Sequence, residues 1–204
     1  PGFAQEWLQR YPGFYLIPEG GGGVVGASGF AAVPQLLEEQ LPQLGWSDYD
    51  ACWLAVGTGT TLAGLVMAEN GRHALYGAQV VPAGYGVDSQ IRQILQQAGR
   101  VDTGYRLLDA SRGGYARIDS DLADLIAQMD EDGQLPLEAC YTGKALLVLR
   151  EQTRAGCFAR GTRLIFLHTG GLQGRRAQQI SLQALAVQAD PRNQALCPVE
   201  ARNA

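Results

Sequence analysis

Three times in its first hundred residues the chain places a short apolar run, then glycines, then a segment with apolar residues at helical spacing. "ACWLAVG" at 51 to 57 is continuously apolar and of strand length, as expected of a strand covered on both faces, and "TLAGLVMAEN" after it reads as a helix closed by Gly71. "HALYGAQVVP" gives a further strand, and "GVDSQIRQILQQAG" a helix stopped at Gly99. Ahead of both, "GFYLIPEG" at 13 to 20 reads as a strand ended by Pro and Gly. The glycines at 20 to 23 follow it, and then a helix through "ASGFAAVPQLLEEQL" despite Pro34. This alternation predicts an α/β fold: an open, mostly parallel sheet with helices on both faces, three α/β/α layers, whose ligands bind outside the carboxyl ends of the strands.

Farther along, "SDLADLIAQMDEDG" at 120 to 133 reads as a helix with a capping Ser. "TGKALLVLREQTRAG" at 142 to 156 reads as a helix opened by Thr142 and closed by Gly156, and "TRLIFLHTGG" at 162 to 171 as a last buried strand running into a glycine turn. After Gly174 the composition shifts to Gln, Ala and Arg; "QISLQALAVQAD" fits a helix or a loosely held tail. The expected organisation is one domain over 1–174 and a tail over 175–204.

Composition narrows the partners. Of 204 residues 46% are hydrophobic and 18% charged, which suits a packed core, and no apolar run reaches the ~18 residues of a membrane span. No signal-peptide pattern is present. The 16 basic residues are scattered singly apart from Arg175 and Arg176, and the net charge is -4, so nucleic acid is not an expected partner. The four cysteines show no CxxC spacing and Cys52 sits in the apolar run, which fits a reduced, cytoplasmic setting. With one lysine, Lys144, and two histidines, His73 and His168, metal binding has little support.

"GTGTT" at 57 to 61 is nearly all backbone. A strand-to-helix turn of this kind is often only a turn. It has neither the lysine of a P-loop nor the GxGxxG spacing of a dinucleotide fold. A single phosphate suits it better, because Gly57 and Gly59 admit an anion to the amides of a helix amino end, with the hydroxyls of Thr58, Thr60 and Thr61 beside them.

Set beside "SRGGYARID" (111 to 119), "YTGKA" (141 to 145) and "LHTGG" (167 to 171), with "YLIPEGGGG" and "WLAVGTGTTLAGL" upstream, the loop resembles those of the D-cysteine desulfhydrase and aminocyclopropane-carboxylate deaminase family. These are pyridoxal-phosphate enzymes of the tryptophan-synthase-beta fold type. The resemblance runs from about residue 13 to residue 174. It implies pyridoxal 5'-phosphate as cofactor, held at its phosphate by Gly57, Thr58, Gly59, Thr60 and Thr61. It puts Thr142 at the pyridine nitrogen, Tyr115 and Tyr141 on the substrate side, and His168, Thr169 and Gly170 of the "HTGG" turn beside the pocket. On the residues alone, Thr142 is equally a helix cap, the tyrosines core or rim aromatics, and His168 a hydrogen-bonded strand residue. Ring-opening members carry Glu at the position of Thr142 and Leu at that of Thr169; the desulfhydrase-like members carry Thr at both. The implied reaction is therefore β-elimination from a small D-amino acid, giving pyruvate, ammonia and sulfide.

Family members also have a Gly-Asn-Lys segment, bearing the lysine that carries the cofactor, and a Ser-Asn-His segment upstream. Neither occurs here, since Asn is found only at 70, 193 and 203. Lys144 is two residues past the position assigned to the pyridine nitrogen, the wrong side of the ring, and reads as an ordinary lysine of a first helical turn. The chain thus resembles the carboxyl-terminal portion of such an enzyme. It is expected to be inactive alone, to expose apolar surface, and to associate with a complementary amino-terminal half or with itself. The competing expectations are a non-catalytic remnant that binds phosphate or a partner chain, and the ring-opening deaminase.

Overall fold

A computed structural model describes residues 2–101, 104–133, 135–178 and 182, with side chains from Ala4 onward. Four strands, β1 (Ala51–Val56), β2 (Ala74–Gln79), β3 (Tyr105–Asp109) and β4 (Leu164–Leu167), form one sheet in the order β3-β2-β1-β4, and every pairing is parallel. The register aligns Val56 with Gln79 and Gln79 with Asp109, while Leu54 faces Leu167. All four carboxyl ends therefore share one end of the sheet. β1 is buried at every residue, as its unbroken apolar run requires of a central strand. Among the described residues no helix is long and apolar enough to cross a membrane.

The described residues group into two compact units interleaved along the chain. The first takes in Pro1–Ser47, Thr58–Arg72 and Gly86–Gly104. It is helical: α1 (Gly2–Arg10), α2 (Val24–Ser28), α3 (Val33–Gln40), α4 (Thr60–Glu69) and α5 (Val87–Gln97). Helix α4 is apolar on nearly all sides, with Leu62, Ala63, Leu65 and Val66 buried. α2 crosses it at Gly64, where a Cβ would run into the Ala27 carbonyl oxygen. Two expectations need correction here. The helix through 27–41 is broken, because Pro34 has no N–H to continue α2 and instead sits in the first turn of α3. The strand expected in "GFYLIPEG" finds no neighbouring strand: residues 14–18 take no regular structure, and Phe14, Tyr15, Leu16 and Ile17 are exposed.

The second unit takes in Asp48–Gly57, His73–Tyr85 and Tyr105–Ala204, which hold the sheet, α6 (Ser120–Glu131) and α7 (Thr142–Arg154). α7 packs on β1 and β2, and the fully buried Trp53 donates its indole N–H to the Ala145 carbonyl at 2.9 Å. The cap of α6 is Asp119, not Ser120: its carboxylate accepts the Leu122 amide at 3.0 Å. A helical stretch over 172–178 opens the tail; Gln178 bonds the Ala139 amide at 3.0 Å, and Leu182 joins the core of Leu122, Ile126, Leu137 and Leu147. The expectation for 183–204 lies outside the described residues.

Candidate functional site

The chain leaves β1 at Gly57 and enters α4 at Thr60, with Gly59 as the capping residue at φ +90°. A side chain there would be strained, and its Cβ would lie 2.5 Å from Ile91. The glycine run upstream leans on this turn, since a Cβ on Gly20, itself at φ +64°, would overlap the Thr58 side chain. The Thr58 and Thr60 hydroxyls lie 3.2 Å apart. No side chain caps α4, its first turn has no acidic residue, and the backbone N–H groups from Thr58 to Thr61 find no acceptor among the described residues. A helix amino end with free amides, two hydroxyls and no competing carboxylate suits an oxyanion such as a phosphate ester, and the close-packed glycines leave room for backbone alone.

At the amino end of α7 the arrangement differs. Glu138, 2% exposed, turns its carboxylate onto the helix start. Oε1 accepts the amides of Tyr141 and Thr142 and Oε2 that of Cys140, each at 2.6 Å. Thr142, 1% exposed, accepts the Glu138 amide at 3.2 Å and donates its hydroxyl to Oε1 at 3.3 Å. Two motif glycines make room for Glu138: a Cβ on Gly143 would sit 2.7 Å from its backbone carbonyl oxygen, and one on Gly171 2.7 Å from the Cγ that carries the carboxylate.

Lys144 is fully buried, not a surface lysine. Its ammonium donates to the carbonyls of Ser111 (2.8 Å), Gly114 (2.6 Å) and Tyr115 (2.9 Å), so all three protons are engaged. An ammonium held in this way has no free lone pair with which to add to an aldehyde. The loop it holds is braced a second time by Arg112, at φ +49°, which pairs with Asp119, with Glu151 at 3.2 Å and with Asp121 at 3.3 Å. Burial weakens the Arg112 charge, but the three carboxylates outweigh it and raise the pKa.

The Tyr115 hydroxyl donates to that of Tyr141 at 2.8 Å, with the rings edge to face at 5.4 Å. Tyr115 is 42% exposed, and Tyr141 packs beside Gly57, where a Cβ would lie 3.2 Å from its ring. Burial pushes the Tyr141 phenol above its ordinary pKa, so it keeps its proton. Beneath it the Cys140 thiol is also raised, by burial and then by Glu138. His168 follows β4; its Nε2 lies 2.9 Å from the Pro136 carbonyl and its Nδ1 accepts the Gly170 amide at 3.2 Å, so Nε2 is the nitrogen placed to donate. Thr169 between them is exposed.

The sheet unit therefore brings Tyr115, Tyr141, Thr142 and His168 to elements that start at strand carboxyl ends, with Gly57 against Tyr141. The turn from Thr58 to Thr61 carries the free amides. Sequence reading missed Glu138 and the buried role of Lys144. The signals available were a Glu four residues before a helix-opening Thr and a lysine flanked by apolar helix positions, and neither betrays burial.

No family model matches the chain. It is 30% identical over 170 residues to a protein of Pyrococcus abyssi and 32% identical over 175 residues to one of Thermotoga maritima, both provisionally named 1-aminocyclopropane-1-carboxylate deaminases. These alignments cover 78% and 80% of this chain and 50% and 54% of the relatives; the chain spans about half the length of the curated relatives it matches. Among solved structures, a crystal structure of an ACC deaminase homologue superposes with a TM-score of 0.69 at 25% identity, over 90% of this chain and 57% of the other. Threonine deaminase isoform 2 of Solanum lycopersicum shares the fold, with a TM-score of 0.56 at 11% identity over 92% of this chain and 54% of that one. The parallel sheet, the motif loops at its strand ends and these likenesses agree: the chain fits the D-cysteine desulfhydrase and 1-aminocyclopropane-1-carboxylate deaminase family, over its carboxyl-terminal portion.

Proposed function

We propose that this chain contributes the phosphate loop and the tyrosine pair of a pyridoxal-phosphate lyase acting on small amino acids, with D-cysteine as the preferred class of substrate. The observation that carries the reading is the uncapped amino end of α4, whose free amides and paired threonine hydroxyls have the donor chemistry of a phosphate-ester seat. Gly57 to Thr61 would hold the phosphate, Thr142 would meet the pyridine nitrogen, and His168, Thr169 and Gly170 would border the ring. Once bound, the cofactor supplies an electron sink for a substrate carbanion. Tyr141, protonated and relieved of donating to Tyr115, keeps its proton for a substrate carboxylate or leaving group. Thr142 would give the pyridine nitrogen a neutral hydroxyl in place of the carboxylate of ring-opening members once that hydroxyl turns from Glu138 Oε1, to which it donates at 3.3 Å, and a neutral neighbour favours elimination of a good leaving group.

The lysine that carries the cofactor, in this reading, comes from a complementary amino-terminal half or a second copy in a cytoplasmic assembly. An apolar groove of about 490 Å³ in the helical unit, lined by Trp7, Tyr11, Phe14 and Leu16, supports that. The test is to supply a complementary amino-terminal half by fusion or mixing and to assay two substrates side by side. Sulfide and pyruvate from D-cysteine, with poor ring opening of aminocyclopropane-carboxylate, is the expected result. Efficient ring opening without sulfide would favour the deaminase reading. Phosphate binding with no activity on either would favour a non-catalytic remnant.

A further inference from the structure

Six polar or charged side chains are buried among the described residues, and four of them, Ser111, Glu138, Thr142 and Lys144, gather behind the tyrosine pair. A lysine and a glutamate buried this fully carry a large desolvation cost unless every proton and lone pair finds a partner. Here they meet that demand with backbone. Lys144 donates to three carbonyls, the last being that of Tyr115, and Glu138 accepts three amides, among them that of Tyr141. One charge thus grips the main chain of one tyrosine, and the opposite charge grips the main chain of the other.

We propose that Lys144 and Glu138 are positioning residues for the tyrosine pair, an ammonium fixing Tyr115 through its carbonyl and a carboxylate fixing Tyr141 through its amide, so that the two phenols meet in a set direction. The three-carbonyl cage selects the ammonium. A neutral amine would have two protons for three acceptors and would turn its lone pair toward the third oxygen. Burial lowers the Lys144 pKa, so the carbonyl dipoles must hold the charge in place. The consequence for chemistry rests on the reading of Tyr115 and Tyr141 as substrate-facing; the placement of the two phenols does not.

The experiment uses the 204-residue chain with ring-labelled tyrosine. The Tyr141 Cζ resonance, assigned by its loss in Tyr141→Phe, reports the bond from Tyr115. Lys144→Met keeps the bulk of the side chain and removes the charge. It should move that resonance to the position seen in Tyr115→Phe and speed tryptic cleavage after the exposed Arg117 by about tenfold, through local opening of the loop. Lys144→Ala with added ethylammonium should return the resonance toward wild type. A folded Lys144→Met protein with the wild-type resonance would overturn the proposal. If Lys144→Met does not fold, failure of ethylammonium to restore the resonance in Lys144→Ala overturns it equally. In the restored enzyme, full turnover of D-cysteine by Tyr115→Phe would sink the substrate-facing reading and leave the positioning result standing.

Discussion

Helices α4 and α7 both begin with a threonine next to a motif glycine, yet their amino ends are opposites. The end of α4 is bare: a glycine cap, no acidic residue in the first turn and amides without acceptors among the described residues. That of α7 is filled from within, by the Glu138 carboxylate on three amides. An oxyanion gains from a helix amino end only where the chain has not already supplied one. By this difference the proposed anion seat falls on α4 rather than α7, whose amino end already holds the Glu138 carboxylate.

The comparison breaks most sharply at Gly59. Gly59→Val puts a branched side chain at φ +90° and a Cβ 2.5 Å from Ile91, and should destabilise the protein by about 3 kcal/mol while abolishing phosphate binding. Urea unfolding and phosphorus NMR read the two effects; an unchanged midpoint would mean the cap is not as tight as described. Glu138→Gln turns an amide N–H₂ toward backbone N–H groups, and should cost about 2 kcal/mol with little change in phosphate binding. A matching loss of phosphate affinity would show that the two helix ends are not independent.

Thr61→Glu gives α4 an acidic first turn of its own. Stability should stay within about 0.5 kcal/mol of wild type and phosphate should bind roughly tenfold more weakly, as titration calorimetry would measure. The smallest effect is expected on acidification. The Ser111 amide, and then its hydroxyl, hold the Asp109 carboxyl below the ordinary value of 3.8. Its contribution is present above 3.8 and fades as pH falls through the lower folded value. Faster exchange of the Ser111 amide in that window, with Thr60 unaffected, is the outcome to look for.

The parts of this molecule that could be read in advance are those that local pattern determines. β1 is apolar at six successive positions, and a strand of that kind must be central and parallel. β3 escaped because "YRLLD" is an edge strand only half buried, with Arg106 turned outward, so neither alternation nor a continuous run marks it. "FYLI" misled in the opposite sense: it has strand composition, but a strand exists only with a neighbour to bond, and the segment is no part of the described sheet. The glycine turn of "HTGG" was visible in the sequence, whereas the reason for Gly171, clearance for the Glu138 side chain, depends on a residue more than 30 positions earlier. Lys144 is the plainest limit. Its place on α7 follows from spacing, but its burial follows from carbonyls that a loop some 30 residues earlier brings to it.

The pairing of β1 with β4 also sets a timetable. Asp50 and Arg163, hydrogen bonded beside that pairing, lie 113 residues apart in sequence, whereas β1 and β2 are joined through a single helix. Loop-closure entropy makes the distant contact the slow one. On a ribosome adding about 5 to 20 residues per second, β1 has one neighbour in place and waits on the order of ten seconds for the other to be synthesised. During that interval "ACWLAV" presents an open apolar edge, and the nascent chain is at its most prone to pair with another copy of itself.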